Sequence, residues 1–277
     1  MTSKGWFITG TSSGFGRELT ELLLDRGDRV TATVRRPDAL QQLRSRYPDQ
    51  LRISVLDVAD TAALRSAVED AFAVMGRIDV VVSNAGYGLF GAAEELDDAQ
   101  IDRQLATNLV APIQLARAVT PHLRAQGGGT FVQLSSLGGQ TAYPGMSLYH
   151  ASKWGVEGFF ESFGAEVAGF GIRTILVEPG MSKTSFSGTS AAVAAADPSY
   201  NNTVLRAGSV PVSAQRGDPR KVAAAIIAAA DQKSPPSRLA LGSDAYAMIG
   251  DALRGRLEAL DAQKDIAFST DSEGPQS

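Results

Sequence analysis

The chain has 277 residues, of which 44% are hydrophobic, and a formal net charge of −4. This charge argues against binding to nucleic acid or to anionic membranes, which select basic surfaces. The sequence has no cysteine and only two histidines, His122 and His150, which excludes disulfides, thiolate nucleophiles and cysteine- or histidine-rich metal sites. It contains no apolar stretch long enough for a signal peptide or a membrane span, so we expect a soluble cytoplasmic protein.

Short β-rich runs alternate with amphipathic helical patterns through most of the chain. Residues 80–82 are three consecutive valines, a run typical of a strand that is buried on both faces. Residues 61–75 place apolar side chains at helical spacing. This alternation predicts βαβ units and a doubly wound parallel sheet. The predicted strands are 5–9, 29–34, 52–56, 80–83, 130–134, 173–177 and 238–241.

The regular pattern breaks after the sixth predicted strand. Residues 182–215 are rich in Ser, Ala, Gly and Pro, and a loop of this length in a compact domain is usually a functional lid or disordered. We expect it to be mobile in the free protein and to close over a hydrophobic substrate; the alternative is a surface insertion without a role. Its expected apolar contacts are Phe186, Val193, Tyr200 and Leu205. The polar residues 264–277 are expected to form a frayed tail.

A glycine-rich turn follows the first predicted strand. Gly10, Gly14 and Gly16 have the spacing Gly-x-x-x-Gly-x-Gly and stand directly before a helical pattern. Glycines allow backbone N–H groups to approach a pyrophosphate, and the N-terminus of the helix adds partial positive charge. A glycine triad alone also fits a plain turn, but its place between strand and helix favours nucleotide binding.

A tyrosine and a lysine share one face of a predicted helix. Tyr149 and Lys153 are four residues apart. A cation within about 4–6 Å lowers the pKa of a phenol by ~1–3 units, so that the phenol can exchange a proton with a carbonyl or an alcohol oxygen. Alone, the pair also fits an exposed surface of a helix.

Three further polar residues are candidates for this site. Ser136 follows the fifth predicted strand, and ligands bind beyond the carboxyl ends of strands in open α/β sheets. Ser135 is the competing candidate, and both serines also suit the end of a strand. Asn108 lies in a predicted helix, where asparagine has poor propensity, so it either binds a water molecule or is simply solvated.

These motifs together resemble the short-chain dehydrogenase/reductase family over about residues 4–260. Residues 9–16 resemble its cofactor loop, and Ser83-Asn84-Ala85-Gly86 resembles its Asn-Asn-Ala-Gly motif. The resemblance implies a catalytic tetrad that consists of Asn108, Ser136, Tyr149 and Lys153. It implies cofactor contacts from Gly10, Ser12, Ser13, Gly14, Phe15, Gly16, Arg35, Asp57, Val58, Asn84, Ala85, Gly86, Tyr149, Lys153, Pro179, Gly180 and Thr184.

The family resemblance assigns finer positions and shows two departures. Asp57 and Val58 resemble the pair beside the adenine, and Thr184 corresponds to a residue near the carboxamide. Ser83 stands where the family has its first Asn, which puts one supporting hydrogen bond in doubt. His150 stands where small residues are usual; it either narrows the cleft or points away, and we expect the latter. The segments at 34–37 and 242–246 are similar to those of 17β-hydroxysteroid-dehydrogenase-like bacterial reductases.

The expected cofactor is NADP(H), with NAD(H) as a possibility. NAD enzymes usually place a carboxylate for the ribose diol near the end of the second strand, where this chain has Arg35, and arginine suits a 2′-phosphate. Asp38 is the rival candidate, but it follows Pro37 and suits the first turn of the next helix.

The expected fold is a single Rossmann-type α/β domain over residues 1–263, with a seven-stranded parallel sheet and helices on both faces. The resemblance implies an oxidoreductase that transfers a hydride between NADP(H) and a carbonyl or secondary-alcohol substrate, with Tyr149 as the general acid/base and Lys153 on the nicotinamide ribose. It also implies a homodimer or homotetramer. The alternatives are a non-catalytic nucleotide-binding regulator and a non-redox lyase or epimerase.

Overall fold

The computed structural model describes residues 3–184, 186, 191–201, 203 and 217–272. The strands of its main sheet are β1 Gly5–Ile8, β2 Arg29–Val34, β3 Leu51–Val55, β4 Val80–Ser83, β6 Gly129–Leu134, β7 Ile172–Pro179 and β9 Arg238–Leu241. The helices are α1 Gly14–Arg26, α2 Gln41–Arg46, α3 Thr61–Met75, α4 Asp98–Leu105, α5 Ala111–Ala125, α6 Ser147–Val167, α7 Pro219–Ala230, α8 Ser243–Asp261 and α9 Lys264–Phe268. A small second sheet pairs β5 Leu89–Phe90 with β8 Ala192–Val193.

The main sheet has seven parallel strands in the order β3-β2-β1-β4-β6-β7-β9. This confirms the expected single Rossmann-type sheet, and each predicted strand lies within two residues of an observed one. The strand order reverses between β1 and β4, which creates the crevice where ligands bind in such sheets. The glycine turn after β1 and the Asn84 motif after β4 therefore face each other across this crevice.

Both faces of the sheet are covered by apolar side chains. Ile8 and Val82 pack with α1 and α7 in one core, whereas Phe7 and Val81 pack with α3, α5 and α6 in the other. Neighbouring residues enter opposite cores because successive side chains of a strand point to opposite faces. Since both faces are closed, the ends of the strands are the natural place for a ligand.

The helix boundaries follow local signals in the sequence. Asp60 caps α3 by accepting hydrogen bonds from the N–H groups of Ala62 and Ala63, both at 3.0 Å. Asp218 caps α7 by accepting one from the N–H of Arg220 at 2.9 Å, and Pro219 occupies the first helical position. A side-chain acceptor at the N-cap satisfies N–H groups that have no partner within the helix, so both boundaries were predictable.

The structure differs from the sequence prediction in two segments. Ala192 and Val193 form a strand inside the segment expected to be an irregular lid; two residues are too few to give a readable period. Leu205 of that segment, with residues 185, 187–190, 202 and 204–216, lies outside the described residues. Helix α9 forms where a frayed tail was expected, but all of its side chains are exposed and no tertiary contact buries it. Residues 273–277 also lie outside the description.

Among the described helices, none combines the length and the apolar content that crossing a lipid bilayer needs.

Candidate active site

The glycine turn forms a cradle at the start of α1. Gly10 and Gly14 have φ angles of 70° and 57°, a backbone region that favours glycine. A Cβ on Gly16 would lie 2.4 Å from the carbonyl oxygen of Gly10 and 2.5 Å from Nδ2 of Asn84. The first turn of α1 has no acidic side chain, so its positive end is not neutralised there. The cradle therefore fits the pyrophosphate of a dinucleotide.

Asn84 fastens this cradle to β4. Its side-chain Nδ2 donates hydrogen bonds to the carbonyl oxygens of Thr9 and Gly10, both at 2.9 Å. The backbone N–H groups of Asn84 and Ala85 donate to the hydroxyl of Thr9 at 2.9 and 3.0 Å. None of these four bonds involves the side chain of Ser83. The serine that stands here in place of the family's first Asn therefore leaves the cradle anchored.

The phenol of Tyr149 lies at the carboxyl end of β6. The side chain of Ser136 is hydrogen-bonded to this phenol, and its oxygen also accepts a bond from the N–H of Gly138 at 3.0 Å. Ser135 makes a different contact: its hydroxyl donates to a carboxylate oxygen of Glu157. The structure thus separates the two candidate serines and brings only Ser136 to the phenol.

Lys153 lies one helical turn after Tyr149 and is 6% exposed. Its Nζ donates to the carbonyl oxygen of Leu134 at 2.9 Å and is 5.9 Å from the centre of the Tyr149 ring. Burial raises the pKa of Tyr149 well above its usual value, and burial lowers the pKa of Lys153 to about 8. The hydrogen bond from Ser136 acts against the effect of burial on Tyr149. The expectation that the Lys153 ammonium lowers the pKa of the phenol stays a prediction.

Asn108 is buried in a π-helical segment, Ala106–Val110, between α4 and α5. Its Oδ1 accepts from the N–H of Tyr87 at 3.1 Å, and its Nδ2 donates to the carbonyl oxygen of Tyr87 at 2.9 Å. A solvated asparagine, one of the two interpretations of the sequence, is thus wrong. The side chain holds the backbone that follows the Asn84 motif, and such π-helical turns are frequent at functional sites.

His150 is buried beside Tyr149, but both of its ring nitrogens contact the backbone of the turn that follows Ser136. Nδ1 lies 2.9 Å from the carbonyl oxygen of Gly138, and Nε2 accepts from the N–H of Tyr143 at 3.2 Å. Burial lowers the pKa of His150. The imidazole is therefore neutral at physiological pH and acts as a brace for the turn.

The remaining expected cofactor contacts lie along the same edge of the sheet. Arg35 is exposed and follows β2 directly, whereas Asp38 lies in a short 3₁₀ helix, Pro37–Leu40. Thr184 lies beside the cradle, since a Cβ on Gly14 would be 3.6 Å from its side chain. Ser12 and Ser13 lie in the cradle and Phe15 in the first turn of α1. Asp57 and Val58 follow β3, Ala85 and Gly86 follow β4, and Gly180 follows Pro179, the last residue of β7.

The described part of the expected lid contacts Tyr149. The ring of Phe186 lies 5.3 Å from that of Tyr149 and 6.5 Å from that of Phe90, measured between centroids. Phe186 thus reaches the site as expected, whereas the side chain of Val193 is 69% exposed. The pairing of β5 with β8 holds this segment beside the site.

Sequence reasoning missed one group of buried charges behind the site. Glu157, Glu178 and Arg238 form an ion-pair cluster between α6, β7 and β9. The available signal was the spacing of Glu157, which lies four residues after Lys153 and therefore on the same helical face. Arg238 gave no such signal, because it is 81 residues away in sequence.

Comparison with known proteins agrees with this geometry. The family model of short chain dehydrogenases matches residues 4–193. The oxidoreductase BOA17 of Botryotinia fuckeliana is 38% identical over 257 residues, which are 90% of this chain and 93% of that protein. The 3-ketodihydrosphingosine reductase of Bacteroides thetaiotaomicron is 34% identical over 239 residues, which are 85% of this chain and 86% of that protein.

Solved structures match over a similar span. A short-chain dehydrogenase from Streptomyces avermitilis superimposes with a TM-score of 0.92 at 38% identity and covers 98% of this chain and 100% of that chain. A metagenomic short-chain oxidoreductase in complex with NADP has a TM-score of 0.70 at 26% identity, over 87% of this chain and 99% of that chain.

The chain therefore belongs to the short-chain dehydrogenase family. It is an NAD(P)-dependent oxidoreductase that acts on CH–OH or carbonyl groups. The resemblance to 17β-hydroxysteroid-dehydrogenase-like reductases remains a prediction.

Proposed function

We propose that the chain transfers a hydride between NADP(H) and a hydrophobic carbonyl or secondary-alcohol substrate, with Tyr149 as the general acid/base. The observation that carries the proposal is the meeting of Tyr149, Ser136 and Lys153 at the carboxyl end of β6, on the same edge as the glycine cradle. The nicotinamide, when bound, supplies or accepts the hydride, and the side chains manage the proton.

The chemistry of the tyrosine follows from its surroundings. Because burial raises the pKa of Tyr149, the phenol keeps its proton at neutral pH and can donate it to a carbonyl oxygen during reduction. Ser136 orients that oxygen, since its hydroxyl already lies at the phenol. For oxidation the phenol must lose its proton, and a positive charge on Lys153 favours the phenolate.

Two further side chains support these roles. Lys153 reaches the edge of the sheet through its bond to Leu134, where its ammonium is placed to hold a ribose hydroxyl of the cofactor. Asn108 fixes the backbone of Tyr87 and would support a water molecule that returns the proton to the phenol.

The preference for NADP(H) rests on Arg35. This guanidinium is exposed at the end of β2, where it can bind a 2′-phosphate in a bidentate manner. Asp38 points to the opposite preference, but it lies in the first turn of the 3₁₀ helix. The metagenomic structure matched at 26% identity is a complex with NADP. A comparison of kcat/KM for NADPH and NADH decides between the two residues, and a higher value with NADH would contradict the proposal.

The preference for a hydrophobic substrate rests on the aromatic surface over Tyr149. The ring of Phe186 packs edge-on against the ring of Tyr149, and the ring of Phe90 packs in turn against that of Phe186. The relative from Bacteroides thetaiotaomicron is a 3-ketodihydrosphingosine reductase, which agrees with a ketone on an apolar chain.

The test measures NADPH consumption with a panel of ketones and aldehydes that carry alkyl chains of increasing length. We expect reduction, and a kcat/KM that rises with chain length. Tyr149→Phe is the control for chemistry at this site. Tight NADP(H) binding without turnover of any compound would favour a nucleotide-binding regulator. Conversion of a substrate without net change in the cofactor would favour a lyase or an epimerase.

A further inference from the structure

Three consecutive residues at the end of β6 contact three residues on one face of α6. The carbonyl oxygen of Leu134 accepts from Nζ of Lys153 at 2.9 Å. The hydroxyl of Ser135 donates to Glu157, and the side chain of Ser136 is bonded to Tyr149. The first and third contacts belong to the proposed catalytic machinery. The second contact lies between them and has no part in it.

Glu157 is held from three sides. It is 2% exposed, and one of its oxygens accepts the bond from Ser135. The other oxygen accepts from Nε2 of Gln140, in the turn after Ser136, and from Arg238 of β9 at 2.6 Å. A buried carboxylate with three donors has its position defined by all of them, because the loss of any donor leaves part of the charge unsatisfied.

The turn that carries Ser136 is pressed onto this pair. A Cβ on Gly139 would lie 1.9 Å from Oε1 of Glu157 and 2.6 Å from the hydroxyl oxygen of Ser135. Only glycine fits at this position. The turn is therefore packed against the carboxylate as well as bonded to it.

We infer that Ser135 and Glu157 form a positioning pair that sets the register of the Ser136 turn on α6 and so holds the Ser136 hydroxyl at the Tyr149 phenol. This inference rests on the proposed function, in which Ser136 orients the substrate oxygen. Tyr149, Lys153 and Glu157 are successive at i, i+4 and i+8, so the helix presents them in one row. A shift of the strand end by about 1 Å would misalign reacting groups and costs up to ~100-fold in rate.

The negative charge of Glu157 also supports the site, because it acts on the pKa of Lys153. Burial lowers the pKa of Lys153, and the nearby carboxylate of Glu157 opposes that effect. The pair therefore also favours the charged form of the lysine. Glu178 and Glu161 face Arg238 as well, so the guanidinium is shared among three carboxylates and does not neutralise Glu157 alone.

The first experiment is a double-mutant cycle with Ser135→Ala and Glu157→Gln. We expect either change to lower kcat by about 10- to 100-fold, with the KM for substrate and the Kd for NADPH within about twofold of wild type. The kcat of the double variant should be no lower than that of Glu157→Gln, because both substitutions remove the same hydrogen bond between Ser135 and Glu157. Additive losses, or a Ser135→Ala variant that keeps more than half of wild-type kcat, would overturn the inference.

Ser152→Ala is the matched control. Ser152 is fully buried, and its hydroxyl donates to the carbonyl oxygen of Tyr149 at 2.7 Å, within α6. The variant loses a buried serine hydroxyl but no contact between the helix and the strand, so we expect kcat within about twofold of wild type. An equal loss of kcat in Ser152→Ala and Ser135→Ala would assign both effects to general destabilisation and overturn the pair.

The second experiment needs no substrate. Hydrogen exchange is followed at the turn after Ser136, where the N–H groups of Gly138 and Gly139 are bonded to the side chain and the carbonyl of Ser136. We expect about tenfold faster exchange in Ser135→Ala, confined to this turn, and no change in Ser152→Ala. Unchanged exchange in Ser135→Ala would overturn the inference.

The two experiments separate the inference from the proposed function. If wild-type protein reduces no carbonyl compound, the proposed function fails, and the exchange experiment alone decides whether the pair holds the turn. If Glu157→Gln does not fold, Ser135→Ala carries both experiments, because it removes a single hydroxyl and no charge.

Discussion

The two sides of the active-site edge are built in different ways. On the cofactor side, the cradle is shaped by glycines and closed by bonds from Asn84 to backbone oxygens. On the catalytic side, the turn after β6 is held by a buried carboxylate, Glu157, and by the guanidinium of Arg238. One site thus combines a half held by neutral contacts with the backbone and a half held by buried charges, and we expect only the second half to depend on pH.

The charged half has buried groups whose pKa values are shifted. Burial raises the pKa of Glu178 and lowers the pKa of Lys153 to about 8. A carboxyl whose folded pKa is raised contributes stability below its unfolded pKa and loses that contribution as the pH rises through the folded value. A lysine whose folded pKa is lowered costs stability below about pH 8, and that cost disappears as the pH rises toward its unfolded pKa.

Tyr149→Phe should have the largest effect, and it tests the chemistry of the charged half without disturbing its packing. The change removes one hydroxyl and keeps the ring against Phe186. We expect kcat to fall by about 10²- to 10⁴-fold, as for other general acid–base groups, while the Kd for NADPH stays within about twofold. Steady-state kinetics and fluorescence titration with NADPH measure the two quantities. Retention of more than a tenth of kcat would exclude Tyr149 as the proton donor.

Arg238→Ala should destabilise the fold by about 3 kcal/mol near neutral pH, because it leaves the carboxylates of Glu157 and Glu178 buried without their cation. Burial already raises the pKa of Glu178 and Arg238 opposes that rise, so Glu178 takes up a proton more readily in the variant. The loss of stability should therefore be smaller at about pH 5 than at about pH 8. Urea unfolding of wild type and Arg238→Ala at both pH values measures this loss of unfolding free energy.

Arg220→Ala is the control for Arg238→Ala. Arg220 pairs with Glu18 at 3.4 Å and with Asp25 at 3.7 Å, and its side chain is 51% exposed. We expect a loss below ~1 kcal/mol from such a surface pair. An Arg238→Ala variant that loses the same free energy at both pH values would contradict the assignment of charge to the catalytic half.

Gly16→Ala tests the neutral half. The added Cβ meets the backbone of Gly10 and the side chain of Asn84, so we expect a loss of about 1–3 kcal/mol, equal at both pH values, and weaker NADPH binding. Gly255→Ala, on exposed α8 with nothing within 4 Å, should instead stabilise by about 0.5–1 kcal/mol. If the loss of unfolding free energy in Gly16→Ala depended on pH, the distinction between a neutral and a charged half would be wrong.

Arg35→Ala should have the smallest effect, and it tests whether Arg35 binds the 2′-phosphate on the cofactor side. We expect the ratio of kcat/KM for NADPH over NADH to fall by about tenfold, because a charge-assisted contact with the 2′-phosphate is lost. Arg44→Ala removes the same charge from exposed α2 and should leave the ratio unchanged. Equal ratios for wild type and Arg35→Ala would remove Arg35 from the 2′-phosphate site.

Much of this protein could be predicted from its sequence, because the signals are local. Apolar runs located the seven strands, and helical spacing located α3. Asp60 and Asp218 are further local signals, because each caps the start of a helix. The glycine cradle was predictable for the same reason, since its geometry depends on the backbone of a few adjacent residues. Tyr149 and Lys153 were found because a helix fixes the spacing of one face.

Other features required the tertiary structure. Local pattern alone does not distinguish Ser135 from Ser136, although the family resemblance selects Ser136. The packing of α6 on β6 brings Ser136 to Tyr149 and Ser135 to Glu157. The pairing of Glu157 with Arg238 joins residues 81 positions apart, which no local pattern reports. The raised pKa of Tyr149 also depends on burial. Local periodicity determines which elements form, whereas burial and long-range contacts decide which polar groups meet and how they are charged.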